Sequence, residues 1–304
     1  MLLFKKIETE KICENTVFRL DLPHQYGSPV TLITGKQNFL IDCGNSETAV
    51  TQYIVPALKA KKLSLSKIDY LLFTHCHYEN VGGAYKVKQL APSIRIIAIG
   101  EQLDKLRNPA YYLAKRWEKF PDWAPPLKEL KGIIADNVAT KICPKFDAVT
   151  PIPTPGHSGD SVSWLVKDCG MVICGGALQG DGTAETGMAY YTNLTDYLES
   201  LEKLENLNPT ILLCNARLKN IDTVIIGEDK CKEAIYRCYE QADKYTSFLK
   251  EYFSTHGSVT KNSDYLNLVS EYFQNKEKPL YLGYAMTTFK AHIAKKNQDQ
   301  AAIY

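Results

Sequence analysis

Two histidines separated by a single residue, His75 and His77, form the first pattern in the sequence that could carry chemistry. They come directly after residues 68–74, a mostly apolar run with the length of a buried strand. Side chains at alternate positions of an extended chain leave on the same side, so the two imidazoles can converge on one ion. A bare histidine pair is more typical of an ordinary core or surface, so a metal site needs a further ligand.

A third histidine, His157, lies in the turn-rich segment PTPGHSGDS, far along the chain from the pair. Neutral imidazoles suit Zn, Fe, Mn and Ni, and three of them with one open position define a catalytic metal site. The three histidines therefore predict metal binding. The alternative is a decayed site in which the imidazoles only form hydrogen bonds.

These histidines belong to a series of short segments that follow one another along the chain. The segments are FLIDCGNS, YLLFTHCHYENVGGA, TPGHSGDSVSW, CGGALQGD and LLCNARL. In this order they resemble the motifs of the metallo-beta-lactamase superfamily, over about residues 15–225. The resemblance implies an α/β fold of the metallo-beta-lactamase type, a four-layer αβ/βα sandwich, and a family that includes thioesterases, lactonases, nucleases and redox enzymes.

Carried over residue by residue, the resemblance makes His75, His77 and His157 the metal ligands of one half of the family's two-metal centre. The other half departs from the family: Glu79 stands in place of Asp, Asn80 in place of His, Gly176 in place of the bridging Asp, and Asn215 in place of the last His. Two divalent ions would bring four positive charges to a site with one remaining carboxylate. The expected cofactor is therefore one divalent metal ion, Zn first, with Fe or Mn as alternatives.

The resemblance also implies roles for the altered positions. Zinc lowers the pKa of water from 15.7 to about 7, and Glu79 would position or deprotonate that water. The other reading of Glu79 is a carboxylate that orients its own loop. Asn80 and Asn215 would act as neutral hydrogen-bond donors to a substrate oxygen in place of the second metal. Glu79, Asn80 and Asn215 are thus the candidate catalytic residues.

Three further side chains near these motifs are open to two readings each. Asp42 is expected to hydrogen-bond a histidine from behind, or else to cap a turn. Asp181 is expected to be a turn residue, with a carboxylate directed at the metal as the alternative. Cys76 should point away from its two histidine neighbours and form a core thiol rather than a soft ligand.

The elements that must position these residues alternate strands with helices, which predicts helices packed over sheets. Strands are predicted at 16–22, 30–34, 38–42, 68–74, 94–99, 148–151, 161–166, 171–174 and 210–214, and helices at 46–62, 84–90 and 195–204. Residues 108–134, rich in aromatic residues and proline, are predicted to form an inserted lid over the site, with extra core or a dimer surface as the alternative.

The last part of the chain has helical periodicity throughout. Helices are predicted at 228–253, 263–273 and 284–296. This divides the chain into a metallo-beta-lactamase-like domain, residues 1–227, and a helical C-terminal region, residues 228–304.

Composition excludes several classes of partner. The 304 residues are 45 % hydrophobic and 23 % charged with a net charge of +2, which does not indicate nucleic acid. No segment approaches the roughly 20 apolar residues that span a bilayer. The nine cysteines are odd in number and scattered, so they are expected to be reduced thiols in the cytoplasm. A small-molecule substrate is expected, and a homo-oligomer is left open.

Together these features predict a metal-dependent hydrolase with one metal, acting on a small ester, thioester, lactone or similar substrate. The alternative is a catalytically inactive protein of the same fold with a ligand-binding or regulatory role, because four positions of the site depart from the family. An iron redox centre is disfavoured because its carboxylate ligands are absent.

Overall fold

The computed structural model describes residues 1–8, 14–108, 137–139, 146–184, 186–274 and 282–301. Within these parts the strands form two sheets, one of seven strands and one of five, accompanied by helices. The chain folds as two compact units. Unit 1 comprises residues 1–153 and 160–175, and unit 2 comprises residues 154–159 and 176–304.

Unit 1 contains the seven-stranded sheet and three strands of the smaller one. Its strands are β1 (Lys5–Lys6), β2 (Thr16–Leu20), β3 (Val30–Thr34), β4 (Phe39–Ile41), β5 (Tyr70–Leu72), β6 (Arg95–Ile99), β7 (Asn137–Ala139), β8 (Val149–Pro153), β9 (Val162–Val166) and β10 (Met171–Gly175). Strands β1 to β4 pair antiparallel in sequence order, and β4 to β7 pair parallel. Strands β8, β9 and β10 form an antiparallel group.

One face of the seven-stranded sheet packs on helices. The helices of unit 1 are a π-helical segment Ala49–Ile54 that continues into α1 (Val55–Ala60), α2 (Tyr78–Val81), α3 (Ala84–Leu90) and α4 (Gln102–Arg107). Alternate residues of the strands supply the apolar side chains of this core, among them Leu20, Leu32, Leu40, Leu71 and Ile96. This alternation follows from the period of two in an extended chain.

The parallel pairing of β4 and β5 brings two chain segments to the same edge of the sheet. Ile41 pairs with Leu72, so the residues after both strands leave at that edge. Asp42 has φ +62°, a backbone conformation that residues other than glycine rarely adopt. Its N–H donates to the Leu72 carbonyl at 2.9 Å. These contacts fix the point at which the chain turns away from the sheet.

Unit 2 is mainly helical. Its elements are α5 (Leu194–Asn206), β11 (Ile211–Cys214), β12 (Val224–Ile226), α6 (Glu228–His256), α7 (Asn262–Tyr272) and α8 (Leu282–Ala301). The Asn193 side chain caps α5 by accepting a hydrogen bond from the Asp196 N–H. Aromatic rings of α6, α7 and α8, including Tyr245, Tyr272 and Phe289, pack edge to face against one another. The C-terminal helices that the periodicity predicts are therefore present.

Three further expectations concern the lid, the domain boundary and membrane-spanning segments. The lid predicted over 108–134 lies, from residue 109 onward, outside the described residues. The domain boundary at residue 227 stays a prediction. Among the helices of the described ranges, none has both the length and the apolar character needed to cross a membrane.

The expectation of reduced thiols is wrong for Cys169, which is disulfide-bonded. Free thiols are present at Cys43, Cys76, Cys174, Cys214, Cys231 and Cys238. A disulfide needs two cysteines whose Cα atoms lie within about 7 Å, and scattered positions in a sequence do not reveal which pair the fold brings together.

Candidate metal centre

His75 and His77 follow β5 in unit 1, in the short connection to α2. His75 is 3 % exposed, and His77 is half-buried. The Nε2 atom of His75 lies 3.0 Å from the Nδ1 atom of His77. The two imidazoles therefore converge as their alternate positions predict.

A hydrogen-bonded chain orients His75 from behind. The buried Asp42 carboxylate accepts hydrogen bonds from the Thr74 N–H at 2.9 Å and from the Thr74 hydroxyl at 2.8 Å. Because the hydroxyl proton is directed to Asp42, the Thr74 oxygen can accept the Nδ1 proton of His75, 3.2 Å away. This arrangement leaves the lone pair of His75 on Nε2, the atom that faces His77. Asp42 thus acts on the histidine through Thr74, a link that the sequence alone did not reveal.

A second carboxylate, Asp160, holds the main chain between the two histidines. Its Oδ2 atom accepts the Cys76 N–H at 2.7 Å, and the Lys105 ammonium bonds its Oδ1 atom. Burial raises the pKa of Asp160, but the charges of Lys105 and His75 and the hydrogen bonds from Lys105 and Cys76 together outweigh it, so this pKa lies below its usual value. Asp160 therefore stays ionised and keeps the loop in place. The only sequence signal was its position three residues after His157 in GHSGDS.

Glu79 and Asn80 lie in α2 and both reach toward the histidine pair. The Oε1 atom of Glu79 lies 3.7 Å from Nδ1 of His77, while its Oε2 atom is buried and has no hydrogen-bond partner among the described residues. The Nδ2 atom of Asn80 lies 3.1 Å from Nε2 of His75. The Asn80 carbonyl accepts the Cys43 N–H at 2.8 Å, which ties α2 to the chain after β4.

His157 lies in unit 2, in the loop between β8 and β9. Its Nδ1 atom donates to the Tyr190 carbonyl at 2.9 Å, because a carbonyl oxygen can only accept. The proton is thereby placed on Nδ1 and the lone pair on Nε2. The Tyr190 ring packs edge to face on the imidazole, with the ring centroids 5.3 Å apart. Tyr190 was not among the predicted site residues, because nothing in its distance from His157 along the sequence indicates a contact.

Gly176, which follows β10, lies directly against this imidazole. A Cβ atom added at Gly176 would lie 2.5 Å from Cδ2 and 2.9 Å from Cγ of His157, closer than real Cβ atoms come to ring atoms. The ring of His157 therefore occupies the space that a side chain at position 176 would need. This explains in steric terms why glycine stands at this position.

Gln179, buried at 3 % exposure, links the two sides of the His157 contact. Its Nε2 atom donates to the Gly176 carbonyl at 2.7 Å, and its Oε1 atom accepts the Tyr190 N–H at 3.2 Å. The glycine, the glutamine, the tyrosine and the histidine form one continuous set of contacts. The sequence motif CGGALQGD contained this glutamine, but nothing in its pattern indicated the contact.

Within unit 1 the nitrogens of His75 and His77 converge, and within unit 2 the hydrogen bond of His157 leaves its lone pair on Nε2, so each unit offers imidazole nitrogens of the kind that bind metal ions. The other predicted residues have different placements. Asn215 follows β11 and is 6 % exposed. Cys76 is half-buried with its Sγ atom 3.7 Å from the Gln102 carbonyl, and burial raises the pKa of its thiol, which therefore stays protonated.

Comparison with known proteins identifies the family. A family model described as the metallo-beta-lactamase superfamily matches residues 25–217, more than half of the chain. The chain belongs to this superfamily. The predicted α/β fold with C-terminal helices is thereby confirmed.

Two curated relatives show how far the likeness extends. A beta-lactamase-like protein 2 homolog of Caenorhabditis elegans is 26 % identical over 70 % of this chain and 65 % of its own length. An atrochrysone carboxyl ACP thioesterase of Aspergillus fumigatus is 25 % identical over 57 % of this chain and 45 % of its own length. The chain thus spans less than two thirds of these curated relatives.

Among solved structures, a metallo-beta-lactamase family protein of Thermus thermophilus has a TM-score of 0.65 with 16 % identity, and the match covers 94 % of both chains. At this identity the likeness shows the shared fold alone.

Proposed function

We propose that this chain is a hydrolase that holds one divalent metal ion on His75, His77 and His157 and cleaves a small ester, thioester or lactone. One observation carries the proposal: within unit 1 the Nε2 atom of His75 lies 3.0 Å from the Nδ1 atom of His77, close to the spacing of two nitrogens on one metal ion. The family resemblance adds His157 as the third ligand. Zinc is the proposed ion, with iron or manganese as alternatives, because three neutral imidazoles suit all three metals.

The residues present fit zinc. Two nitrogen ligands of one tetrahedral zinc, each at about 2.0–2.1 Å, lie roughly 3.3 Å apart, and the observed separation between His75 and His77 is 3.0 Å. His75 and His157 each have the opposite ring nitrogen in a hydrogen bond, to Thr74 and to the Tyr190 carbonyl. Such bonds are typical of histidines that ligate metals, because they fix the ring and its tautomer.

Two features favour one ion over two. Gly176 has no room for a carboxylate, since His157 fills that space. Asn80 and Asn215 are neutral, so Glu79 would be the only carboxylate of the second half-site, and two divalent ions would be poorly neutralised.

When bound, the ion supplies Lewis acidity toward a carbonyl group and toward water. Glu79 would accept the proton of the attacking water on a carboxylate oxygen. Its position beside His77 and its buried, partnerless Oε2 atom support this role. Asn80, and by the family resemblance Asn215, would donate amide hydrogen bonds to an oxygen of the substrate on which negative charge develops.

The proposed substrate class is supported by one of the relatives. The Aspergillus fumigatus relative is named a thioesterase, which supports acyl thioesters as substrates. A cytoplasmic location stays a prediction, and disulfide-bonded Cys169 removes one of its supports, since disulfides are rare in that compartment.

The test combines metal content with turnover. Protein purified without an affinity tag should contain close to one equivalent of metal by elemental analysis. It should also hydrolyse at least one of p-nitrophenyl acetate, an acyl thioester and an acyl homoserine lactone. Glu79→Gln should reduce kcat by about 100-fold or more, as loss of a general base does. Glu47→Gln, which changes a partly exposed glutamate paired with Lys86, should leave kcat unchanged. Two tight equivalents of metal would contradict the one-metal centre.

A second candidate, a binding protein without turnover, is favoured by one contact. The Asn80 amide nitrogen lies 3.1 Å from Nε2 of His75, the atom that would ligate the metal. If the amide holds that nitrogen permanently, the histidine cannot bind metal. Absence of bound metal after reconstitution with zinc, manganese and iron would support this candidate.

A further inference from the structure

The helices at the end of the chain make hydrogen bonds to residues 188–191, the segment that carries the Tyr190 carbonyl. The Ala189 N–H donates to the Tyr245 hydroxyl oxygen of α6 at 2.9 Å, and the Thr288 hydroxyl of α8 donates to the Ala189 carbonyl at 2.9 Å. Both main-chain groups of Ala189 are therefore bound by side chains of the C-terminal helices. Ala189, Tyr245 and Thr288 are at most 1 % exposed, so water does not compete with these bonds.

Tyr191, two residues after Ala189, also bonds a side chain of α8. The Tyr191 hydroxyl lies 2.6 Å from Nε2 of His292. On the other side of the ring, Nδ1 of His292 lies 3.0 Å from the Thr246 hydroxyl, whose own proton is directed to the Ala242 carbonyl. His292 therefore carries its proton on Nδ1 and accepts the Tyr191 proton on Nε2. Burial lowers the pKa of His292 to about 4, so the ring is neutral at physiological pH and keeps this acceptor.

Tyr190, between the two anchored residues, also packs on α8. Its ring meets the ring of Tyr284 edge to face, with the centroids 4.9 Å apart. The carbonyl of Tyr190 accepts the Nδ1 proton of His157. The two residues that flank Tyr190 are thus bonded by side chains of α6 and α8, and Gln179 binds the Tyr190 N–H.

Two adjacent threonines of α8 show that the anchoring is selective. The Thr287 hydroxyl donates to the Gly283 carbonyl, the residue four positions before it in the same helix. This is the usual bond of a threonine inside a helix. The Thr288 hydroxyl instead bonds the Ala189 carbonyl, 99 positions away in the sequence. One residue stabilises its own helix and the other holds the 188–191 segment.

We propose that Thr288, Tyr245 and His292 are positioning residues for the metal centre: they fix the 188–191 segment so that the Tyr190 carbonyl holds His157 with Nε2 available for the metal. Under this proposal the C-terminal helices determine the orientation of a metal ligand. This inference rests on the proposed function, because His157 is a metal ligand only there.

The experiment compares Thr288→Val with Thr287→Val, the same change one residue apart. The first readout is the pair of imidazole ¹⁵N shifts of His157 in the metal-free protein, which report the tautomer. We expect the Nδ1-protonated tautomer in the wild type and in Thr287→Val, and a mixture of tautomers in Thr288→Val. Thr288→Ser keeps the hydroxyl and should restore the wild-type shifts. A merely structural role of Thr288 would lower stability without moving these shifts.

The second readout is zinc affinity, measured by competition with a chromophoric chelator. Thr288→Val should weaken binding by about tenfold, the lower end of the effect of losing an outer hydrogen bond of a metal site. Thr287→Val should stay within about twofold, because its hydroxyl bonds the Gly283 carbonyl of its own helix. Should Thr288→Val fail to fold, Tyr191→Phe replaces it, with the exposed Tyr236→Phe as its control.

The two possible failures are distinguishable. A wild type that binds none of zinc, manganese and iron would overturn the proposed function, whereas the His157 shifts would still decide the positioning role. If Thr288→Val and Thr287→Val, or Tyr191→Phe and Tyr236→Phe, have the same shifts and the same zinc affinity, the positioning role is overturned and the metal centre stands.

Discussion

The histidine pair and His157 are held in place by different physical means. His75 is oriented within unit 1 by a hydroxyl and a buried carboxylate, through Thr74 and Asp42, at the ends of two paired strands. His157 is oriented within unit 2 by a main-chain carbonyl on a loop that helices hold from outside. A strand end is rigid because its ladder fixes it, while a loop is only as rigid as its anchors. His75 and His157 can therefore lose their orientation independently of each other.

Removal of His157 should have the largest effect on this comparison. His157→Ala should weaken zinc binding by more than about 100-fold, because loss of a ligand exceeds the 10–100-fold typical of outer contacts. His256→Ala, an exposed histidine of α6, is the matched control and should bind as the wild type does. Competition titration measures both. If zinc affinity survives His157→Ala within about tenfold, the proposed ligand set is wrong.

A methyl group at Gly176 should damage the His157 side through steric contact alone. Gly176→Ala places Cβ 2.5 Å from the His157 ring, and overpacking of this kind costs about 1–3 kcal/mol. If the ring moves away and the full cost falls on zinc binding, about 2 kcal/mol corresponds to roughly a 30-fold loss of zinc affinity. The clash should disappear in the His157→Ala background, where a double-mutant cycle of urea unfolding measures it. Equal costs in both backgrounds would exclude the contact as the cause.

Acid should loosen the helices that support His157. His292 has a pKa of about 4 in the folded chain against about 6.5 unfolded, so between these values the unfolded chain binds more protons. The free energy of unfolding contributed by this group is fully present above pH 6.5 and is lost as the pH falls toward 4. Between pH 7.5 and 5 the loss is about 2 kcal/mol.

Urea unfolding at both pH values measures this loss. His292→Gln should flatten the pH dependence of the unfolding free energy, and the exposed His256→Gln should not. An unchanged slope in His292→Gln would show that the buried imidazole is not the titrating group.

The smallest of these effects is expected at Thr74. Thr74→Val removes the hydroxyl between Asp42 and His75 at nearly constant volume. Zinc affinity should fall by about tenfold, and Thr74→Ser should retain it. A loss of zinc affinity as large as that of His157→Ala would mean that the hydrogen bonds from Asp42 through Thr74 do more than orient the His75 ring. An unchanged affinity would mean that the ring does not need these bonds.

Periodicity predicted the longer elements well and the shortest ones poorly. Strand β3 and helix α3 begin and end at the predicted residues, 30–34 and 84–90, because repeated apolar positions mark them. Helix α2 and strand β12 were not predicted, since three or four residues are too few to show a period. Their positions come from contacts distant in the sequence, such as that between Asn80 and Cys43.

In the candidate site, too, some residues could be predicted from the sequence and others could not. The three histidines were predicted from residue type and from order along the chain. The residues that orient them could not be predicted, because a threonine, a glutamine or a tyrosine carbonyl has no signature until the fold places it. The Tyr191 contact with His292 joins residues 101 positions apart. Asp42 was noticed, but its partner Thr74 was not.

The contact between Gly176 and His157 also constrains how this chain can evolve. A substitution that returns a carboxylate to position 176 would first meet the imidazole ring, so its effect depends on what has already changed around it. A carboxylate at position 176 therefore first requires changes that reposition the His157 ring, which the proposed function makes a metal ligand. Position 176 is therefore epistatic: the same substitution has different consequences depending on where the ring of His157 lies.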